Sequence, residues 1–145
     1  MNAESKILNL MNSYCYAIDS GDFKTFNRLL EHAQWIADGK TPGKESASNL
    51  IVYADGTPRT KHTITNITID VNDTKTEATA HSYVTVFQQT DSFPLQAIYA
   101  GEYFDEFECV DDEWRFTKRE IKNSLPGDMR AHLKKPSLTI PSAKD

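Results

Sequence analysis

Two residues have side chains suited to moving protons and lie where an apolar face could tune them: Asp19 and His62. Asp19 falls in the last turn of a helical pattern, where the macrodipole disfavours a carboxylate by roughly 0.3–1 kcal/mol. At 100° per residue it lies about 140° round the helix from Tyr14, so the two flank an apolar stripe from opposite sides. A carboxylate on the rim of an apolar face is expected to have a raised pKa, which suits acid–base work. The competing reading is that Asp19 tidies the turn Asp19-Ser20-Gly21-Asp22 by local hydrogen bonds. His62 stands near the start of a strand-like segment and shares a face with Ile64 and Asn66 by period 2. If that face looks inward, an imidazole close to a carboxylate is the commonest acid–base pair. If it looks outward, His62 is an ordinary exposed strand histidine.

The other chemistry-bearing side chains form no recognisable set. His32, His81 and His132 have no spacing to acids or cysteines that would hold a metal, and His81 alternates onto an outer face. Cys15 falls on the apolar stripe and Cys109 near a strand end, where each behaves as a small hydrophobe. Asn66-Ile67-Thr68 and Asn72-Asp73-Thr74 match the glycosylation sequon, read here as chance. No phosphate loop, dinucleotide fingerprint or Gly-x-Ser-x-Gly elbow occurs, so neither metal nor organic cofactor is signalled. The rings of Trp35, Tyr53, Phe87, Tyr99, Tyr103, Phe104, Phe107, Trp114 and Phe116 could line a cavity or simply fill a core.

These side chains need elements to hold them. Ile7, Met11, Tyr14 and Ile18 form the ladder of a first helix, widened by Leu8, Leu10 and Cys15. Gly21 is placed to end it in a left-handed conformation, and Asp22 to cap a second helix with Phe23, Phe26, Leu29 and Leu30 on its face. A short strand is expected over 34–38 and a third short helix over 44–53. Beyond the turn cluster Asp55-Gly56-Thr57-Pro58, long strands are expected over 59–71, 76–89, 95–109 and 114–121, with a tight Asp111-Asp112 turn before the last. Helices followed by a meander predict an α+β fold with helices on one face of an antiparallel sheet. Both faces of the strands carry apolar or aromatic residues, so the uncovered face is expected to meet another subunit, as a homodimer or homotrimer. Residues 1–125 are expected to form the domain, and 126–145, with three prolines and no periodicity, an extended or disordered tail.

Composition bounds the rest. The 145 residues suit one domain, and 39% apolar with 26% charged residues is a soluble globular balance. A net charge of −5 argues against nucleic acid as a partner. No apolar run reaches a membrane span, the start lacks the order of a signal peptide, and two cysteines are too few for a disulfide scaffold or structural zinc. A cytoplasmic protein is expected.

Tyr14-Cys-Tyr-Ala-Ile-Asp19-Ser-Gly-Asp22 resembles the first-helix signature of the SnoaL-like family, within the nuclear transport factor 2-like superfamily. Arg59-Thr-Lys-His62-Thr-Ile-Thr-Asn66 is similar to its first long strand, and Gly101-Glu-Tyr103-Phe-Asp105 through Trp114-Arg-Phe116 to Arg119 to its last hairpin. The resemblance covers about residues 4 to 125. It implies a cone of helices packed on a strongly curved sheet around a pocket. Relatives include dehydratases, isomerases, cyclases and noncatalytic dioxygenase β subunits. In dehydratase-like members a tyrosine and an aspartate of the first helix and a histidine of the first long strand form the active site; those roles fall on Tyr14, Asp19 and His62. The implied function is a cofactor-independent dehydratase or isomerase of a small hydrophobic ring compound, with Trp35, Asn66, Tyr99 and Tyr103 shaping the binding site. The alternative is a noncatalytic ligand-binding or assembly subunit on the same cone.

Overall fold

The computed structural model describes residues 1–39, 46–135 and 140–144. Helix α1 spans Ala3–Ser20, its start capped by the Asn2 side chain, which accepts from the Ser5 amide. Ile7, Met11, Tyr14, Cys15, Ala17 and Ile18 are its buried face. It stops at Gly21, whose φ of 77° closes the helix with a hydrogen bond to the Ile18 carbonyl. A Cβ at Gly21 would come within 2.0 Å of the Gly56 carbonyl oxygen, so the end of α1 presses directly on the turn that leads into the second strand. Asp22 caps α2 (Phe23–Leu29) by accepting from the Thr25 amide, and Phe26 is buried.

Five strands follow: β1 (Gln34–Ala37), β2 (Thr60–Val71), β3 (Glu77–Thr90), β4 (Phe93–Val110) and β5 (Glu113–Pro126). They form one mixed, open sheet in the order β1-β5-β4-β3-β2, with the expected antiparallel meander β2 to β5 and β1 added in parallel on β5. Asp111 and Asp112 both take positive φ, as a tight hairpin turn requires. Of the helix expected over 44–53, residues 44 and 45 lie outside the described residues; Ser46–Asn49 is a single 3₁₀ turn, and Leu50 bridges to Leu133.

Register shifts bend the sheet. Between Thr65 and Thr68 an extra residue enters β2, and Asn66 takes a φ of 53°. Residues Thr60, His62 and Ile64 therefore point to the helices before the bulge, and Ile67, Ile69 and Val71 after it. On β5, Phe116 pairs with Phe107 but Lys118 pairs with Glu106, leaving Thr117 unmatched. That one residue turns Arg119, rather than Lys118, to the inside.

Two apolar clusters result. Ile7 and Met11 pack with Phe107, Trp114 and Phe116 at one end. At the other, Tyr14, Cys15, Ile18, Phe26, Val84, Val86, Ile98 and Tyr103 pack together, with Trp35 and Tyr99 half-buried against them. The chain after β5 departs from the expected tail. Gly127 donates to the Ile98 carbonyl, the amide of Lys134 donates to the Asn49 carbonyl, and Met129 and His132 are buried. Residues 127–135 thus fold back over the end of the sheet. Among the described residues no helix is long and apolar enough to cross a membrane.

Candidate active site

The carboxylate of Asp19 leaves the last turn of α1 and meets the start of β2. Its Oδ1 lies 2.6 Å from His62 Nδ1 and accepts from the Thr60 hydroxyl at 2.8 Å, while its Oδ2 accepts the His62 backbone amide at 2.6 Å. One carboxylate thus fixes the ring and the backbone of the same histidine, and this holds because Gly21 sets where α1 ends. The His62 and Asp19 side chains keep 7% and 10% exposure, so the pair is shielded but not sealed. The raised pKa expected for Asp19 is not found. Burial does push its carboxyl up, but the hydrogen bonds and charge of His62, with the Thr60 hydroxyl, outweigh burial and hold it below the ordinary value. Asp19 is therefore the ionised partner. With Nδ1 engaged, Nε2 is the nitrogen of His62 left for chemistry.

A second ion pair lies deeper. Arg119 and Asp105 are fully buried and joined twice, Nε to Oδ1 at 2.8 Å and Nη2 to Oδ2 at 2.9 Å. The guanidinium is packed among rings, 3.8 Å from the Tyr103 centroid, 4.2 Å from Tyr14 and 4.9 Å from Phe116. Burial works against its charge, but Asp105 outweighs this and its pKa is raised. Among the described residues, Arg119 Nη1, Trp35 Nε1 and Ser82 Oγ have no hydrogen-bond partner. Tyr14 is buried, and desolvation pushes its hydroxyl up to about 12 against the opposing pull of Arg119. It is a hydrogen-bond donor at any working pH. Burial pushes the Cys15 thiol up to about 11 against the opposing pull of Arg119.

Of the residues singled out from the sequence, Asp19 and His62 meet directly, and Tyr14 joins Tyr103 edge to face at 5.9 Å over Arg119. Trp35 packs on Phe26 at 6.1 Å. Tyr99 turns its hydroxyl to Ser124 at 2.5 Å, and Ser124 in turn donates to the Asp38 carboxylate. Asn66 is not part of this constellation: the β2 bulge leaves it exposed, and Ile67 takes the inward place. His81 is on the outer face, as expected, stacked on Phe104 at 4.4 Å and bonded to Glu102.

Sequence reasoning did not pair Asp105 with Arg119, and it weighed His132 only as a metal ligand. An unbulged hairpin about Asp111-Asp112 would set Asp105 opposite Lys118, so only the unmatched Thr117 reveals the true partner. His132 is carried into the site by the returning segment, its ring 6.5 Å from that of His62. Among the described residues, no group of three or more His, Cys, Asp or Glu side chains could hold a metal ion.

Three solved structures of similar fold put this arrangement in context. A candidate scytalone dehydratase from Novosphingobium aromaticivorans superposes with a TM-score of 0.64 at 24% identity, covering 90% of this chain and 91% of that one. A candidate aromatic ring hydroxylase from the same organism gives 0.63 at 18%, over 90% and 99%. LinA gives 0.61 at 20%, over 95% and 94%. At these identities the likeness is one of fold. A search of curated proteins finds no match to this chain. The family model described as the SnoaL-like domain matches residues 1–120, and with the fold in agreement the chain belongs to that family.

Proposed function

We propose that the protein is a cofactor-independent dehydratase or isomerase acting on a small hydrophobic ring compound that carries a carbonyl. The observation that supports this most is the double anchoring of His62 by Asp19, through the ring and the backbone amide, in a shielded site. His62 Nε2 removes a proton from the carbon next to the carbonyl, and the C–H electron pair moves into an enolate. Asp19 stays ionised and stabilises the imidazolium that forms. Tyr14, held protonated, donates a hydrogen bond to the oxygen that gains charge. The imidazolium then returns the proton. Given to a β-hydroxyl, it releases water as the enolate collapses to the enone; given to another carbon, it completes an isomerisation. Trp35, Tyr99 and Tyr103 shape the ring-binding side, with the Trp35 N–H free to donate.

The noncatalytic reading, a ligand-binding or assembly subunit, draws on a different region. Clefts of about 280 and 570 Å3 open where Thr79, Glu106 and Lys118 line the sheet, and a homodimer or homotrimer would be built through that sheet. The two readings part on a chemical probe. The β-hydroxy ketone 3-hydroxy-1-tetralone loses water to give 1-naphthol, whose fluorescence reports the reaction. The expected result is turnover above buffer that falls about 100-fold or more in Asp19→Asn and in His62→Ala. No acceleration over buffer, or wild-type rates in both variants, overturns the catalytic reading.

A further inference from the structure

The segment after β5 forms a strap, and its backbone is held at nearly every step. The amides of His132 and Leu133 both donate to the Met129 carbonyl at 3.0 Å. The Ala131 carbonyl accepts from Gln88 Nε2 at 2.9 Å and from the Tyr53 hydroxyl. Gln88 itself is buried and also donates to the Pro58 carbonyl, two residues before Thr60. The His132 carbonyl accepts from Ile51, and Asn49 receives the Lys134 and Lys135 amides on its carbonyl and side chain. None of these bonds uses the imidazole of His132.

His132 is buried, with 5% of the residue exposed, and among the described residues its Nδ1 has no hydrogen-bond partner. An apolar ring would fill the same place without leaving a polar atom unsatisfied. Its neighbour is His62, with ring centroids 6.5 Å apart and planes at 63°. Two hydrogen bonds of about 2.8 Å meeting at one oxygen span up to about 5.6 Å between their outer atoms. Ring nitrogens on imidazoles at this separation can match that span. The strap therefore sets a second imidazole beside the first, with ring centroids 6.5 Å apart.

We infer that His132 is a substrate-contacting residue: its Nδ1 forms a hydrogen bond to an oxygen of the ligand that His62 addresses, a hydroxyl or carbonyl on the ring compound. This deepens the acid–base reading and rests on it for the role of His62, though binding through His132 stands whether or not turnover follows. The imidazole stays neutral because burial, with the charge of His62, holds its pKa down at about 4 against the weaker pull of Asp19. It contributes a hydrogen bond and no net charge, so it favours a neutral oxygenated ring over a carboxylate.

The test uses the full chain with ¹⁵N-labelled histidine and 1-naphthol as probe. On titration the ring nitrogens of both His62 and His132 are expected to shift, with one dissociation constant. His132→Phe should weaken naphthol binding about tenfold, and His132→Asn, whose amide can stand in for Nδ1, should recover most of it. Far-UV circular dichroism confirms that each variant is folded, and the wild-type titration needs no variant. A shift at His62 with His132 unmoved, or equal binding by wild type and a folded His132→Phe, overturns the assignment while leaving the catalytic reading intact. No shift at either imidazole overturns both.

Discussion

Asp19–His62 and Asp105–Arg119 are both carboxylates paired with nitrogen bases inside one small fold, yet they differ in every property that matters for chemistry. The arginine pair is fully buried, bidentate and enclosed by rings, and a guanidinium does not give up its proton. The histidine pair touches solvent at 7% and 10%, and one ring nitrogen is left over. The first is a fixed charge; the second is a charge that can be made and unmade.

If the arginine pair is fixed structure, breaking it should cost folding more than anything else here. Asp105→Ala leaves a buried, uncompensated guanidinium, and the expected loss is about 3–5 kcal/mol in urea unfolding. A loss below about 1 kcal/mol would mean that Arg119 can reach solvent and that the two pairs are alike. The histidine pair should show the reverse balance. Asp19→Asn should cut turnover of the tetralone probe by about 10²–10⁴-fold. Its unfolding midpoint should move far less than that of Asp105→Ala.

The contrast also has a pH signature. The unfolded chain protonates His132 near 6.5, whereas the folded protein resists until about 4. Between these values the unfolded state binds more protons, so stability is complete above about 6.5 and declines as the pH falls towards 4, by roughly 3 kcal/mol. His132→Phe should remove that slope, and a slope unchanged in the variant would show that another group causes it. Asp19 adds a second limb at lower pH. Its folded pKa lies below the ordinary value, so its contribution is present above about 3.8 and is lost as the pH falls further. The last test is at the close contact that ends α1. Gly21→Ala adds positive-φ strain of about 1–3 kcal/mol and sets a Cβ 2.0 Å from the Gly56 carbonyl oxygen, so that backbone must shift, with a larger proportional loss of turnover than of stability. Full activity in a folded Gly21→Ala would show that the Asp19–His62 contact does not depend on where α1 stops.

Much of this was legible in the chain before any coordinates. The 3.6-residue ladder of Ile7, Met11, Tyr14 and Ile18, the left-handed stop at Gly21, the cap at Asp22 and the alternation along β3 are local signals, set by periodicity and by what each residue's backbone tolerates. They sufficed to expect helices on an antiparallel meander; the curvature and the set of Tyr14, Asp19 and His62 came from the resemblance to the SnoaL-like family. The bulges were not legible. An extra residue in β2 expelled Asn66 and another in β5 turned Arg119 inward, because a single insertion reverses every side chain beyond it and no local pattern marks where it falls. The fate of His132 was equally hidden. The segment that carries it has no periodicity of its own, and its place is decided by Gln88, Tyr53 and Asn49, which the chain brings to it from 43 to 86 residues away. Residue types and their spacing determined which elements form and which side chains are candidates for chemistry. Which of those candidates share one volume was decided by register and by the returning strap, since both depend on contacts between residues far apart in the chain.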